Sequence, residues 1–286
     1  MENVAAVSNC DLIQLISKLI ELKVFNNNCE CGNVMKTVKC SAAIDKYMFI
    51  CQCGKKRTTR KGSWLANSHL NLYQLFIFIN FWVNNVQLKV IEAQSDVGHQ
   101  TAVKLNKFLY TVVTNFVEQN STRIGGDGRI VEIGESEFGK RKYNKGHLVE
   151  GVWVFGGVER GSMRSFLVPV EKRDERTLLD LIKKWIHPNS TIISDCWSSY
   201  GKLEELGYKH LTVNHSVNYK DPYTGAHTNT IESYWRHIKA SLPEYNRRKL
   251  LFHCYLAKFV FLRNAKSIGF DPFKELLRES RHLSSM

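Results

Sequence analysis

The sequence predicts an α/β chain, in which a small cysteine-bearing module and a run of helices precede a domain built from a three-stranded meander followed by alternating helices and strands. Three features predict it. Two near-identical Cys-x-Cys-Gly knuckles fall between Cys29 and Gly54. Apolar residues recur at helical spacing from Leu72 to Gln119. After the glycine-rich stretch Gly125 to Gly128, short β-rich segments alternate with glycine-containing turns.

A chain of 286 residues, 43% of them hydrophobic, can bury one large core and one or two small ones. Lysine and arginine outnumber aspartate and glutamate by 40 to 27, leaving a formal charge of +13 and a sequence pI near 9.3. That balance points to a polyanionic partner, with nucleic acid ahead of ribosomal association or an acidic membrane surface. Met1 to Cys10 lacks a basic start followed by an apolar stretch and a cleavage site, so the expected location is inside the cell, in the nucleus of a eukaryote or the cytoplasm otherwise, and not secreted. The greasiest run, Leu72 to Val83, falls short of the roughly 20 apolar residues a membrane span needs, and Gln74 and Asn80 interrupt it. A buried helix is expected there, with no membrane partner. In such a setting the eight cysteines are thiols or metal ligands.

Asp11 to Phe25 carries Leu12, Leu15, Ile16, Leu19, Ile20 and Leu22 on one helical face, with Asp11 placed to cap it. Asn26 to Asn28 breaks the pattern and opens the knuckles Cys29-Glu30-Cys31-Gly32 and Cys51-Gln52-Cys53-Gly54, the second entered by a strand around Tyr47, Phe49 and Ile50. Thiolates from Cys29, Cys31, Cys51 and Cys53 can close a tetrahedron around a structural Zn2+, and so small a module can hardly fold without a staple. The usual knuckle has two residues between its cysteines and this one has one, so Cys40 as a substitute ligand, or buried cysteines without metal, stay open. Lys55, Lys56, Arg57, Arg60 and Lys61, with Thr58, Thr59 and Ser63 among them, form a run able to touch consecutive phosphates, the alternative being a solvated loop or an import signal.

Helices are expected over Leu72 to Val83, Leu88 to Ser95 and Gln100 to Gln119, and the break from Asp96 to His99 gives the last two a helix-turn-helix layout, one that any helical hairpin shares. Strands follow at Arg129 to Glu137, Leu148 to Val158 and Met163 to Val170, then a helix at Asp174 to Ile186, a strand at Thr191 to Ser194, a helix at Trp197 to Leu206, a strand at Tyr208 to Val213 and a helix at Asn229 to Ala240. This is the element order of a ribonuclease-H-like fold. The expected divisions are an N-terminal helix (1–26), a zinc-ribbon-like module (27–66), a helical DNA-binding segment (67–122), the ribonuclease-H-like domain (127–265) and a tail (266–286).

Asp195 stands at the carboxyl end of an apolar strand, and Glu232 in the first turn of a helix. Singly, each has a structural role open to it: Asp195 as the cap of the helix near Trp197, Glu232 in a capping box with Asn229. Their neighbourhoods add more. Gly139-Lys140-Arg141-Lys142-Tyr143-Asn144, Gly151-Val152-Trp153-Val154-Phe155-Gly156-Gly157, Ile193-Ser194-Asp195-Cys196-Trp197, Val213-Asn214-His215-Ser216 and Gly225-Ala226-His227-Thr228-Asn229-Thr230-Ile231-Glu232-Ser233 appear in order. Together these motifs resemble the Merlin group of DDE transposases and the related bacterial insertion-sequence transposases, over about Asn28 to Arg263.

The resemblance implies a cut-and-paste DNA recombination enzyme, working on transposon ends and target DNA as a homodimer or higher oligomer. It implies two Mg2+ or Mn2+ ions held by carboxylates, with Asp195 the second acid and Glu232 the third. It also implies DNA contacts from Lys140, Arg141, Lys142, His227, Asn229 and Arg236. The family's first-strand motif, Ile-Asp-Glu-Ser, reads Ile133-Gly134-Glu135-Ser136 here, and glycine binds no metal. Glu135 points to the opposite sheet face, and Glu132 lies about 7 Å further along the strand. The expected function is therefore a transposase impaired in catalysis. The alternative is a transposon-derived DNA-binding protein without chemistry; a ribonuclease-H-like nuclease unrelated to mobile elements would fit the fold order but not the motifs.

Overall fold

The structure is a computed structural model and describes residues 11–139, 151–196, 198–214, 220–242, 251–267 and 269–283. The chain divides into two compact units, residues 1–116 with 269–286, and residues 117–268. Among the described residues no helix is long and apolar enough to cross a membrane.

The first unit opens with α1 (Leu12–Glu21), which buries Leu15, Ile16 and Leu19. Asp11 holds the capping position, but its side chain makes no capping bond. β1 (Lys36–Lys39), β2 (Tyr47–Ile50) and β3 (Lys56–Thr58) form an antiparallel sheet in sequence order, with Tyr47 and Phe49 on its buried face. Then come α2 (Leu72–Val83), α3 (Leu88–Ser95) and α4 (His99–Asn120), within a residue of the bounds their periodicity predicts. Trp64, in the loop after the small sheet, stacks on Phe108 of α4 at 4.5 Å between ring centroids.

In the second unit β4 (Ile124–Gly125) precedes the long strand β5 (Ile130–Phe138), followed by β6 (Val152–Glu159), β7 (Ser165–Val170), α5 (Glu175–Trp185), β8 (Ile186–His187), β9 (Thr191–Asp195), β10 (Lys209–Val213), α6 (Asn229–Ser241) and α7 (Phe252–Ser267). Five strands make one mixed sheet in the order β10-β9-β5-β6-β7: β5, β6 and β7 are the antiparallel meander, and β9 and β10 run parallel to β5. One face is covered by α5, with Val131, Ile133, Phe155, Phe166 and Ile192 packed on Leu178 and Ile182. The other face carries α6, which buries Ile231, Tyr234, Trp235 and Ile238.

The helix predicted over Trp197 to Leu206 does not form; Trp197 itself lies outside the described residues. A 3-10 turn at Ser198–Tyr200 is followed by turns closed three residues apart, Leu203 N to Tyr200 O, Leu206 N to Leu203 O and Gly207 N to Glu204 O, each 3.0–3.2 Å. Tyr200 and Leu203 are both buried in the core, and anchors spaced by three suit a tighter winding than the α-helix. Downstream, where the periodicity predicts a tail, α8 (Pro272–Ser280) forms in the first unit, capped by Asp271 and bringing Phe273 to 5.4 Å from Phe76 of α2.

Candidate functional site

Strand β5 sets the geometry because its side chains alternate between the two faces of the sheet. Glu132, Gly134 and Phe138 face α6, while Val131 and Ile133 face α5. The paired stretch of β5 with β9 ends at Glu132 and Ile193. Gly134 and Asp195 each lie two residues beyond that last pair, so they stand at equal depth on neighbouring parallel strands. Across β6, Gly134 pairs with Gly156. The indole of Trp235 lies over this glycine pair: a methyl carbon at Gly156 would come within 2.7 Å of its Cη2, whereas one at Gly134 would meet its Nε1 at 3.6 Å, an ordinary contact.

Asp195 is half-buried at the strand end, and Glu232 is exposed on the outward face of α6 together with Asn229 and Arg236. Among the described residues, the four cysteines are the one group of three or more His, Cys, Asp or Glu with ligand atoms all within 4.8 Å. Asp195 and Glu232 belong to no such group. Two carboxylates without a third do not fit a pair of bridged divalent ions.

Glu132 is occupied elsewhere. Fully buried, it accepts hydrogen bonds from Thr230 N at 2.7 Å, Ile231 N at 3.0 Å and Thr230 Oγ1 at 2.7 Å, closing the open amides at the start of α6. Arg160 balances its charge, donating from Nε to Oε1 at 2.5 Å and from its terminal nitrogen to the carbonyl of His227 at 2.7 Å. The same nitrogen meets His227 Nδ1 at 2.9 Å. Burial and the Arg160 charge hold the His227 pKa below its usual value, so Nδ1 accepts and the ring is neutral; its 3.6 Å approach to Glu132 is not an ion pair. The helix begins at Asn229, which moves the capping position to Thr228; the carboxylate on β5, and not a capping box at Asn229, serves the first amides.

Glu135 faces the other way. Its Oε1 and the hydroxyl of Tyr200 are buried opposite one another without closing a full hydrogen bond. Burial, with the charge of Asp195 adding to it, pushes the Glu135 carboxyl up to about 6, while Arg173 tempers the rise. Arg173 itself lies over the Trp153 ring, 3.5 Å from its centroid.

The two knuckles of the first unit are built alike. Cys29 N donates to Asn33 O and Cys51 N to Lys55 O, both at 2.9 Å, and Gly32 and Gly54 close the turns at φ +87° and +85°, which favour glycine. Sulfur pairs Cys29–Cys53 and Cys31–Cys51 stand 3.6 and 3.4 Å apart. Tetrahedral zinc–thiolate geometry sets sulfur–sulfur edges of about 3.8 Å, so this donor set fits zinc. Cys40 lies outside the cluster.

The basic run is not uniform. Lys56 and Lys61 are exposed, Lys55 pairs with Glu30 at 2.5 Å, and Arg57 donates to the carbonyls of Asn26 and Asn28 at 2.7 and 2.8 Å. Arg60, expected to meet phosphate, requires correction: it is 3% exposed, ion-paired with buried Asp45 and bonded to the carbonyls of Ser68 and Leu70. Its guanidinium ties the small sheet to the segment that leads into α2. Lys140, Arg141 and Lys142 lie outside the described residues. The sequence points to Glu132 as an acid on the strand but not to its bonds with the start of α6, and it singles out neither Arg160 nor Trp235, which lies one helical turn beyond Glu232.

A mixed α/β domain with this sheet and these helices is the class that fold and site define. Residues 113–264, more than half of the chain, match the family described as ISXO2-like transposase domain, and the chain belongs to that family. It is also similar to an uncharacterized transposase-like protein of Haemophilus influenzae, at 28% identity over 81 residues, 28% of this chain and 64% of that protein's length. Among solved structures it resembles a chain of the simian T-cell lymphotropic virus intasome in complex with PP2A regulatory subunit B56 gamma. That match has a TM-score of 0.31 and 14% identity, over 49% of this chain and 50% of the other.

Proposed function

We propose that this chain descends from a DDE transposase with a ribonuclease-H-like catalytic domain, binds duplex DNA, and cleaves it poorly or not at all. Family membership supports the descent. The meander β5-β6-β7 with β9 and β10 added parallel to β5 supports the ribonuclease-H-like reading, and the five motifs support a Merlin-like origin. Lys56, Lys61 and the net charge of +13 support DNA as the partner, and zinc on the four cysteines would hold the small sheet that presents those lysines.

The observation that carries impairment is the pairing of position with chemistry. Gly134 stands level with Asp195 and beneath the helix that bears Glu232, and the one acid on the same strand face, Glu132, is bound into the start of that helix. The test compares the chain with Gly134→Asp on a supercoiled plasmid and a transposon-end duplex, with magnesium or manganese present. The unaltered chain should bind and leave both intact, and Gly134→Asp should nick. If Gly134→Asp binds but does not nick, the missing acid is not the only lesion. Efficient cleavage by the unaltered chain would refute the impairment outright.

A further inference from the structure

Helices α3 and α4 are joined by three residues, Asp96, Val97 and Gly98, in a turn fixed from several sides. Asp96 takes the left-handed conformation at φ 51°, and Val97 is buried at 5% exposure. Gln74 closes the capping box of α2 with Asn71 and donates from Nε2 to the Asp96 carbonyl at 2.7 Å, so the start of α2 grips the turn. His99 Nδ1 meets Glu92 Oε1 at 2.9 Å, tying the first residue of α4 to α3. Ile91 of α3 and Ala102 and Leu105 of α4, each at most 1% exposed, face the interior. A short turn, one buried apolar residue inside it and a third helix bonded to it make the layout of helices that enter a DNA groove.

The outward face of α4 in its first three turns is formed by Gln100, Val103, Lys104 and Lys107, all exposed. Val103, 44% exposed, is an apolar side chain set among polar ones on a surface where burial would be the rule. Each type matches a feature of the major groove: a carboxamide can bond adenine at two points, a lysine suits guanine, and an apolar side chain packs on the thymine methyl. Lys89 of α3 is also exposed, on the helix that crosses the backbone in such an arrangement. Of the nearby acids, Glu92 is engaged by His99; Asp96, exposed in the turn, is the local charge that opposes phosphate.

We infer that α4 is a sequence-reading helix, with Gln100, Val103 and Lys104 on base edges in the major groove of duplex DNA and Lys107 and Lys89 on phosphates. The inference rests on the proposed DNA-binding reading and adds where base recognition resides. Full-length protein is used to select from a library of duplexes with a randomised centre, and binding to the selected and a scrambled duplex is then measured for Gln100→Ala, Val103→Ala, Lys104→Ala and Lys107→Ala. All four positions are exposed, so unchanged circular dichroism checks the fold. The unaltered chain should select a defined sequence. Each of the first three variants should lose about tenfold in discrimination at one or two base pairs. Lys107→Ala should weaken binding to both duplexes equally and lower the salt slope by about one unit. Binding without any preferred sequence, or the same preference in the first three variants, overturns the inference and leaves the DNA-binding reading standing. Failure to bind duplex DNA, including a preference for single strands, overturns both.

Discussion

The ring nitrogen of Trp235 lies 3.6 Å from where the first side-chain carbon of residue 134 would stand, and among the described residues it has no hydrogen-bond partner although Trp235 is only 3% exposed. A buried N–H without an acceptor costs about 1–3 kcal/mol. An aspartate at position 134 would supply that acceptor, its first carbon at ordinary contact distance from Trp235 and Ile231. Gly134→Asp should therefore leave stability unchanged or raise it. Gly156→Ala, whose new carbon would approach Trp235 Cη2 and Leu167 Cδ2 to 2.7 and 2.8 Å, should lower it by about 1–3 kcal/mol. Urea unfolding measures both, and a larger loss from Gly134→Asp than from Gly156→Ala would contradict the placement of the indole.

Glu132 makes a second prediction, because it links the central strand to the start of α6. Glu132→Ala strips the partner from Arg160 and three donors at once, and should cost about 3–5 kcal/mol. Glu132→Gln keeps an acceptor and should cost less. Hydrogen exchange at Thr230 and Ile231 should accelerate in both before the rest of the sheet responds. Unchanged protection at those amides would mean that the helix start is held by something else.

Much of this was legible in the sequence, for definite reasons. Helices α2 and α3 match their periodicity to the residue, and in the structure the Asn71–Gln74 capping box fixes where α2 starts. The meander was legible because glycine turns separate strongly β-forming runs. The Tyr200 region was not: residues 198–206 have helical spacing, but core anchors three apart wind the chain more tightly. Arg60 shows the limit for sites. A basic residue in a basic run reads as surface charge, and its burial depends on Asp45, a partner fifteen positions away that no local pattern announces. Glu132 misleads in the same way, since its partners on α6 lie almost a hundred positions along the chain.

The raised Glu135 carboxyl gives a pH dependence. Below its ordinary value of 4.5 the group is protonated whether the chain is folded or not; between 4.5 and about 6 the unfolded chain releases the proton and the folded one keeps it. Stability from the neutral form is thus fully present at low pH and lost as pH rises through about 6, by at most about 2 kcal/mol. Glu135→Gln should match the unaltered chain below pH 4.5 and exceed it above pH 6. A difference that does not change across that window in denaturant unfolding would show that Glu135 ionises freely.

The cysteine cluster predicts a metal-dependent fold for the small sheet. Protein purified without chelator should carry about one zinc per chain, and Cys53→Ser or chelation should release it and unfold β1 to β3. Absence of zinc with the sheet intact would leave two buried and two exposed thiols packed for their own sake.

In the basic run, neighbouring residues of the same charge should behave oppositely. Arg60 is buried against Asp45 and bonded to two carbonyls beyond the sheet, so Arg60→Ala abandons a buried carboxylate and should cost about 3–5 kcal/mol. Lys56 and Lys61 are exposed, and alanine there should change stability by less than about 0.5 kcal/mol. On DNA the order reverses. Lys56→Ala with Lys61→Ala should weaken binding to every duplex alike and reduce the salt slope by about one unit for each contact removed. Arg60→Ala, measured well below its lowered melting temperature, should keep the full slope. If Arg60→Ala instead flattens the salt dependence without loss of stability, its guanidinium faces the phosphates in solution and the Asp45 pair does not hold.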